Sequence, residues 1–543
     1  MAGSGMPGSE LSYIEVVLLL LFMLVAGLAL FARRVHIAYP IILVIGGLCL
    51  SLIPRIPRIE LDPNIVIYLF LPPLLFFAAF HTSWRDFVNN IVSIVLLAFG
   101  LVGFTIVGVA ASTRYLLPGF DWKLGLVLGS VVAATDPLAA TATARRMGLP
   151  RNITDILEAE SLVNDGSGLV ALKFTLAMVV SGITPSIADG AATLLYLVFM
   201  AVAIGLGVGM LMHLAQKRID DAPIEITLSL VTPYLAYLGA EYAHCSGVLA
   251  TLACGIYLGR RSSGFFSLHA RIEASGFWNS LDFMLNGLVF LLLGLQLPLI
   301  LSQIRGLSLP RLIYFGAVFS GIVIVLRLLW VYPGAWLSVQ IQRYALRQPV
   351  DLASPRHVFL IGWAGMRGVL ALAAALSIPT HLGDGSQFPE RNVIIFLTFC
   401  VIFSTLVLQG LSMPSLIRWL GLAGSDLSRH EEIHARREMV TAGLRRLQEL
   451  RRQTGSSSPE LLDQLETYYR RRLARIEYYS SDDPGRDSEE QQFERQRSLS
   501  QEIRNAERRA LLRLRDDNKI HDQVVRALEY ELDLLDARFA ESD

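Results

Sequence analysis

The chain has 543 residues, 53% of them hydrophobic, a mean hydropathy of +0.49, and 47 basic against 47 acidic side chains. This excludes an ordinary soluble protein and points to a polytopic membrane protein. The net charge of zero says nothing of partners, because 22 of the Lys and Arg and 26 of the Asp and Glu lie after Gly424. Residues 1–424 are therefore expected to form a membrane domain, and residues 425–543 a charged, helical cytoplasmic tail.

The first apolar run is too long for a cleavable leader and ends on Arg33-Arg34, so it is expected to be a true first span. Apolar stretches place thirteen spans near 11–32, 35–53, 64–81, 89–113, 123–144, 153–180, 190–214, 223–241, 244–259, 274–301, 311–337, 356–379 and 391–420. Loops after odd spans carry 14 Lys and Arg, those after even spans 7. The bias puts the N-terminus outside and the tail inside. Cys49, Cys245, Cys254 and Cys400 sit in or beside apolar runs without ligand spacing, and are expected to be small buried hydrophobes.

Span 5 holds Ala134-Thr135-Asp136-Pro137 at its middle. Pro137 lacks an N–H and clashes with the preceding turn, which predicts a break. Irregular backbone at that depth is tolerated only against protein or a cavity. Span 6 carries Glu160-Ser161-Leu162-Val163-Asn164-Asp165-Gly166. At about 100° per residue Ser161, Asn164, Asp165 and Gly168 line one stripe, with Glu160 beside Asn164. An ionisable residue at mid-membrane costs about 2.5–3.5 kcal/mol on insertion scales and is a site hypothesis by default.

Lys173, about 12 Å along the helix from Asp165, is too far to pair with it and is expected to be structural. Asp282 and Asn286 share a face of span 10 and are expected to pack or line. Span 11 adds a central Arg327. Span 12 reads Gly362-Trp363-Ala364-Gly365-Met366-Arg367-Gly368, which predicts a second interruption. Two interrupted helices running in opposite directions, one in each half, point to an inverted-repeat transporter with its site at the midplane. Asp136, Asp165, Arg327 and Arg367 would there offset one another. His244 and His357 sit at span edges with no ligand partner at helical spacing. In the tail, segments 426–453, 459–479, 487–516 and 518–540 show apolar residues at helical spacing among mixed charges, Pro459 marking a helix start. No nucleotide-binding pattern occurs there.

Desolvation disfavours a charged carboxylate unless a cation neutralises it, so such a group holds either a proton or a small cation. Hard oxygen donors suit alkali ions. The oxygens available are those of Asp165, Ser161 and Asp136 and the freed carbonyl of Thr135, and half-helix C-terminal ends favour cations as well. A site of this kind, exposed alternately to each side, is an antiporter.

Thr135-Asp136-Pro137, the Glu160–Asp165 stretch, Arg327 and Gly365-Met366-Arg367-Gly368, in this order, resemble the sodium/proton exchanger family (monovalent cation:proton antiporter-1), in a bacterial-type member, over about residues 10–420. The resemblance implies an inverted-repeat fold with two interrupted crossing helices, a core and a dimerisation domain, and a homodimer with an elevator-like core movement. It implies that Asp165 binds the transported Na+ and the proton, that Asp136, Thr135 and Ser161 help hold the cation, and that Glu160 pairs with Arg327. Asn164-Asp165, in place of paired aspartates, resembles the electroneutral branch. Many members carry an acid in span 3 after Pro-Pro; Leu71-Pro72-Pro73-Leu74-Leu75-Phe76-Phe77 has none. The expectation is exchange of Na+, or of Li+ or K+, for H+ across the plasma membrane, serving pH homeostasis, with no cofactor, no enzymatic activity and no nucleic-acid partner. Alternatives are a transporter of another substrate, a channel, or an intramembrane aspartyl protease using the two aspartates for acid–base work. Against the protease, its Gly-x-Gly-Asp motif is missing.

Overall fold

A computed structural model describes residues 7–53, 61–117, 119–182, 187–261, 268–304, 308–344, 354–382, 385–423, 427–453 and 459–480, with isolated residues elsewhere. The chain divides into two compact units, Met1–Asp426 and Leu427–Asp543. The described residues of both are mainly helical, and among them the one extended pairing is an isolated bridge between His381 and Gln387.

Long apolar sequence leaves the backbone to satisfy itself, and a helix does this within one segment. The first unit runs through α1 (Pro7–Arg34), α2 (Tyr39–Ser51), α3 (Ile65–His81) and α4 (Ile91–Leu116). Next come the broken pair α5 (Trp122–Ala133) and α6 (Leu138–Arg146), then α7 (Arg151–Ser181) and α8 (Ile187–Gln216). The chain continues with α9 (Ala222–Tyr242), α10 (Gly247–Arg261), α11 (Leu268–Leu295) and α12 (Leu309–Tyr344). A second broken pair, α13 (Pro355–Trp363) and α14 (Val369–Leu376), precedes α15 (Arg391–Trp419). Among the described residues seven of these, α4, α5 with α6, α7, α8, α11 with its extension to Gln303, α12 and α15, are long and apolar enough to cross a membrane. α2 and α3 are shorter apolar helices.

Both interruptions lie where proline and glycine put them. The chain leaves α5 at Ala134 in an extended conformation (ψ 139°) and re-enters helix after Pro137. It leaves α13 at Ala364 and re-enters at Gly368, also extended (φ −112°, ψ −171°). The short link between spans 8 and 9 is a turn in which His244 takes a left-handed φ of 56°. Cys245 and Cys254 are buried as expected, but Cys400 is half-buried and Cys49 is exposed near the end of α2.

The helices α4, α7, α14 and α15 pack around the first broken pair, α12 packs against α13 of the second, and α15 also packs against α12 and α14. The span containing α5 and α6 is 78% buried within the protein, whereas that of α8 is only 17% buried. The broken helix is thus an interior element and α8 a peripheral one. Among the described residues three turns of π-helix occur: Ile65–Phe70 opens α3, and Leu96–Leu101 and Thr405–Gln409 interrupt α4 and α15. No sequence signal announced them.

In the second unit α16 (Leu427–Gln453) and α17 (Pro459–Ser480) pack as a hairpin. Val440 is buried and Gly443 lies against the Tyr469 ring. Arg451 reaches Glu466 at 3.1 Å and Asp463 at 3.2 Å. Helix α17 starts on Pro459. The expected tail helices 487–516 and 518–540, and the breaks at Gly455–Ser458 and after Ser480, lie outside the described residues apart from isolated positions.

Candidate functional site

The two breaks meet. The backbone N–H of Asp136 donates to the carbonyl of Met366 at 2.8 Å, joining the extended segment of the first pair to that of the second. The Asp136 carboxylate turns back to accept the N–H of Leu138 at 2.9 Å, which satisfies one of the free donors at the start of α6. Its other flank is Gly368, where any Cβ would collide with the carboxyl group. Glycine is required there by close approach, since the φ itself is one that any residue adopts.

Helix α7 supplies the side chains that hold the first break. The Ser161 hydroxyl donates to the carbonyl of Thr135. Asn164 grips the same residue twice: Nδ2 donates to Thr135 Oγ1 at 2.5 Å, and Oδ1 accepts the Thr135 N–H at 3.3 Å. Gly168 lets α7 close on Ala134, one turn further along. Asp165 shares this face. Among the described residues its carboxylate makes no hydrogen bond and no ion pair, it is partly exposed, and it lies within electrostatic reach of Asp136.

Two buried arginines close the ends of the half-helices. Arg367 donates Nε to the carbonyl of Val132 at 2.6 Å and Nη1 to that of Gly365 at 3.0 Å. It stands in the second break and caps the C-terminal end of α5. Arg327, on α12, donates Nε to Gly362 at 3.0 Å and Nη2 to Ile361 at 3.1 Å, capping α13. Its remaining donors form a two-pronged pair with Glu160, Nη1 to Oε1 at 2.7 Å and Nη2 to Oε2 at 2.9 Å. Gly365 lies flat on the Arg327 guanidinium and has no room for a Cβ. This changes one expectation. The half-helix C-terminal carbonyls, which the sequence offers to a cation, are taken by arginine, whereas the Thr135 carbonyl accepts from Ser161 and keeps a second lone pair. Terminal carbonyls in a dry interior need donors, and arginine, with five N–H groups in a planar fork, supplies several at once.

The structure thus brings Thr135, Asp136, Ser161, Asn164 and Asp165 to one crossing, with Glu160, Arg327 and Arg367 around it. Other candidates fall elsewhere. Lys173 pairs with Glu241 of α9 at 2.8 Å. Glu158, on α7 but not among the candidates, pairs with Arg145 of α6 at 2.6 Å. Asn286 donates to Asp282 at 2.9 Å along α11. His244 turns a loop, and His357 lies in the first turn of α13.

Sequence reasoning missed a supporting layer. Thr405, in the π-turn of α15, accepts the N–H of Arg367 through Oγ1 at 3.0 Å. In the π-turn of α4, Leu96 accepts from Trp330 at 3.2 Å, and Ala98 accepts from Ser167 at 2.6 Å. The π-turn frees carbonyls that an α-helix would consume. Each break is therefore held by a side chain from the helix that follows it, Asn164 for the first and Thr405 for the second.

The family described as "Sodium/hydrogen exchanger, transmembrane" matches residues 19–419. An uncharacterized Na(+)/H(+) exchanger of Mycobacterium tuberculosis is 33% identical over 524 residues, covering 96% of this chain and 95% of that protein. A sodium, potassium, lithium and rubidium/H(+) antiporter of Bacillus pumilus is 32% identical over 455 residues, covering 80% and 66%. The sodium proton antiporter MjNhaP1 of Methanocaldococcus jannaschii shares the fold, with a TM-score of 0.60 at 19% identity over 78% of this chain and all of that one. The family consists of transporters, which removes the protease alternative. The chain belongs to the sodium/hydrogen exchanger family.

Proposed function

We propose that the crossing binds either one Na+ or one proton, and that the protein exchanges them one for one across the plasma membrane. The observation that supports this most directly is Asp165, an acid on a membrane-spanning helix with no hydrogen-bond or ion-pair partner among the described residues. Desolvation makes its bare charged form costly, so it takes whichever small cation is at hand. Asp136, Thr135 and Ser161 offer further oxygens beside it. These hard donors suit an alkali ion; Li+ and K+ meet the same chemistry with a different cavity fit.

The surrounding charges, that of Asp136 included, stay constant while the cargo is exchanged. Glu160 and Arg327 neutralise each other, and Arg367 faces the negative ends of helix dipoles. Asp165 then trades one positive charge for another, and the exchange is electroneutral. Asn164 uses both ends of its amide on Thr135 and holds the site without carrying charge.

The remaining features of this reading are thirteen crossings, an outside N-terminus and inside tail from the Lys and Arg bias, a homodimer, and an elevator-like movement of the core in a membrane domain of residues 1–424. The tail of residues 425–543 tunes transport without performing it. The test is proton release measured with a pH-quenched dye in acid-loaded proteoliposomes on addition of each alkali chloride. Na+ dequenches at millimolar concentration while choline does not. Equal dequenching by choline would end the reading.

A further inference from the structure

We propose that the first unit carries a second binding site, away from the crossing, for one anionic phospholipid. A cavity of about 230 Å³ opens between α3, the end of α8, α9, α10 and the start of α11. None of its lining residues belongs to the crossing. Its deep walls are Phe76, Phe77 and Trp278, with ring centroids 5.6 and 6.1 Å from Phe76 and Phe77 to Trp278. Its mouth carries the exposed His81, the last residue of α3, and Arg271 in the first turn of α11, while the buried Gln216, the last residue of α8, also lines it. Arg271 and Trp278 are seven residues apart on one helix, so polar mouth and apolar depth are separated by about 10 Å.

That shape and gradient fit an amphiphile entering from the membrane surface. Arg271 sets the sign of the head group. Lys217 follows Gln216 directly, and Arg260 and Arg261 close α10, stacking on Trp84 at 5.2 Å and Tyr257 at 4.9 Å. A basic pocket between membrane helices recognises anionic head groups. Gln216 gives an independent pointer. It is 1% exposed, and its Oε1 has no hydrogen-bond partner, although Nε2 donates to the Glu225 carbonyl at 3.4 Å. A buried unsatisfied acceptor costs about 1–3 kcal/mol, and a head-group hydroxyl at the mouth supplies the missing donor. The cavity is smaller than a typical drug-sized site; it takes the first carbons of one acyl chain below a head group held at the mouth, while the rest of the lipid stays in the bilayer. On the orientation proposed above, this is a lipid of the inner leaflet.

The test is native mass spectrometry of the full delipidated chain with phosphatidylglycerol or phosphatidylcholine of identical acyl chains. Phosphatidylglycerol is expected to bind at one per chain and at least tenfold more tightly. Arg271→Gln should bring it down to the phosphatidylcholine level. Ala274→Leu should block both lipids by filling the slot, and Ser275→Phe at the exposed rim serves the same purpose if Ala274→Leu does not fold. Melting temperatures without lipid control for folding, and the exchange in lipid-rich vesicles should survive in each variant. Equal binding of the two lipids, unchanged phosphatidylglycerol binding in Arg271→Gln and the slot variant, or full competition by soluble glycerol 3-phosphate would each overturn the proposal.

Discussion

Arg327 and Glu160, 167 residues apart in sequence, form a two-pronged ion pair in which the arginine is 2% exposed and the glutamate not at all. The same guanidinium caps α13 through the carbonyls of Ile361 and Gly362. One side chain therefore ties α7, which carries Asp165, to a broken helix of the crossing. Removing one partner of a buried pair costs about 3–5 kcal/mol, because the other charge is left alone. Glu160→Gln and Arg327→Ala should each lower thermal stability by several degrees and reduce exchange. The exchanged pair Glu160→Arg with Arg327→Glu should recover less than half, since a glutamate at 327 cannot donate to the α13 carbonyls. Wild-type melting in either single variant would contradict the assignment.

Arg367→Lys tests the other cap. A lysine keeps the charge but lacks the fork that reaches both Val132 and Gly365. Hydrogen bonds from a charged donor contribute about 1.5–3 kcal/mol each. The expected result is a loss of about 1–3 kcal/mol in denaturant unfolding of the detergent-solubilised protein, and slower exchange. Wild-type stability in Arg367→Lys beside a large loss in Arg367→Met would show that charge, and not capping geometry, governs this position.

Gly368→Ala places a methyl group on the Asp136 carboxyl. Overpacking of this kind costs about 1–3 kcal/mol, and here it displaces a proposed cation oxygen. The cation Km in liposomes should rise at least tenfold, with a smaller effect on melting than Arg327→Ala produces. An unchanged Km would remove Asp136 from the cation's surroundings.

A chain ending at Asp426 keeps the whole crossing, because every residue named there precedes it. It should still exchange Na+ for H+ in vesicles, with a shifted pH profile. Complete loss in an inserted, folded protein would give the tail a direct part in transport.

The breaks and the charges of this site were legible in the sequence because they break local rules. Pro137 and the glycines around Arg367 disrupt helices, and Asp136, Asp165, Arg327 and Arg367 are costly in an apolar run. Their partners were harder to read. Arg367 finds Val132 across 235 residues, and Asn164 finds Thr135 across 29; such pairings depend on how helices cross, which spacing within a helix does not reveal. The π-turns beside Trp330 and Thr405 were invisible for the same reason. They answer a neighbour's need for a carbonyl or a hydroxyl rather than a local propensity. The cavity at Trp278 was hidden too, since its walls come from five helices.

The central claim is that one carboxylate, Asp165, serves both ions. Cation and proton then compete for it. The most direct measurement is the apparent Km for Na+ as a function of pH on the cation side, in proteoliposomes clamped with valinomycin and potassium, for the wild type and for Asp165→Asn. Acidification should raise Km with little change in maximal rate, because protons occupy the site that Na+ needs; at higher pH Km should flatten. Imposed voltage should leave the rate unchanged, and Asp165→Asn should fold yet exchange nothing. A Km independent of pH, or exchange surviving in Asp165→Asn, would contradict the shared-carboxylate mechanism.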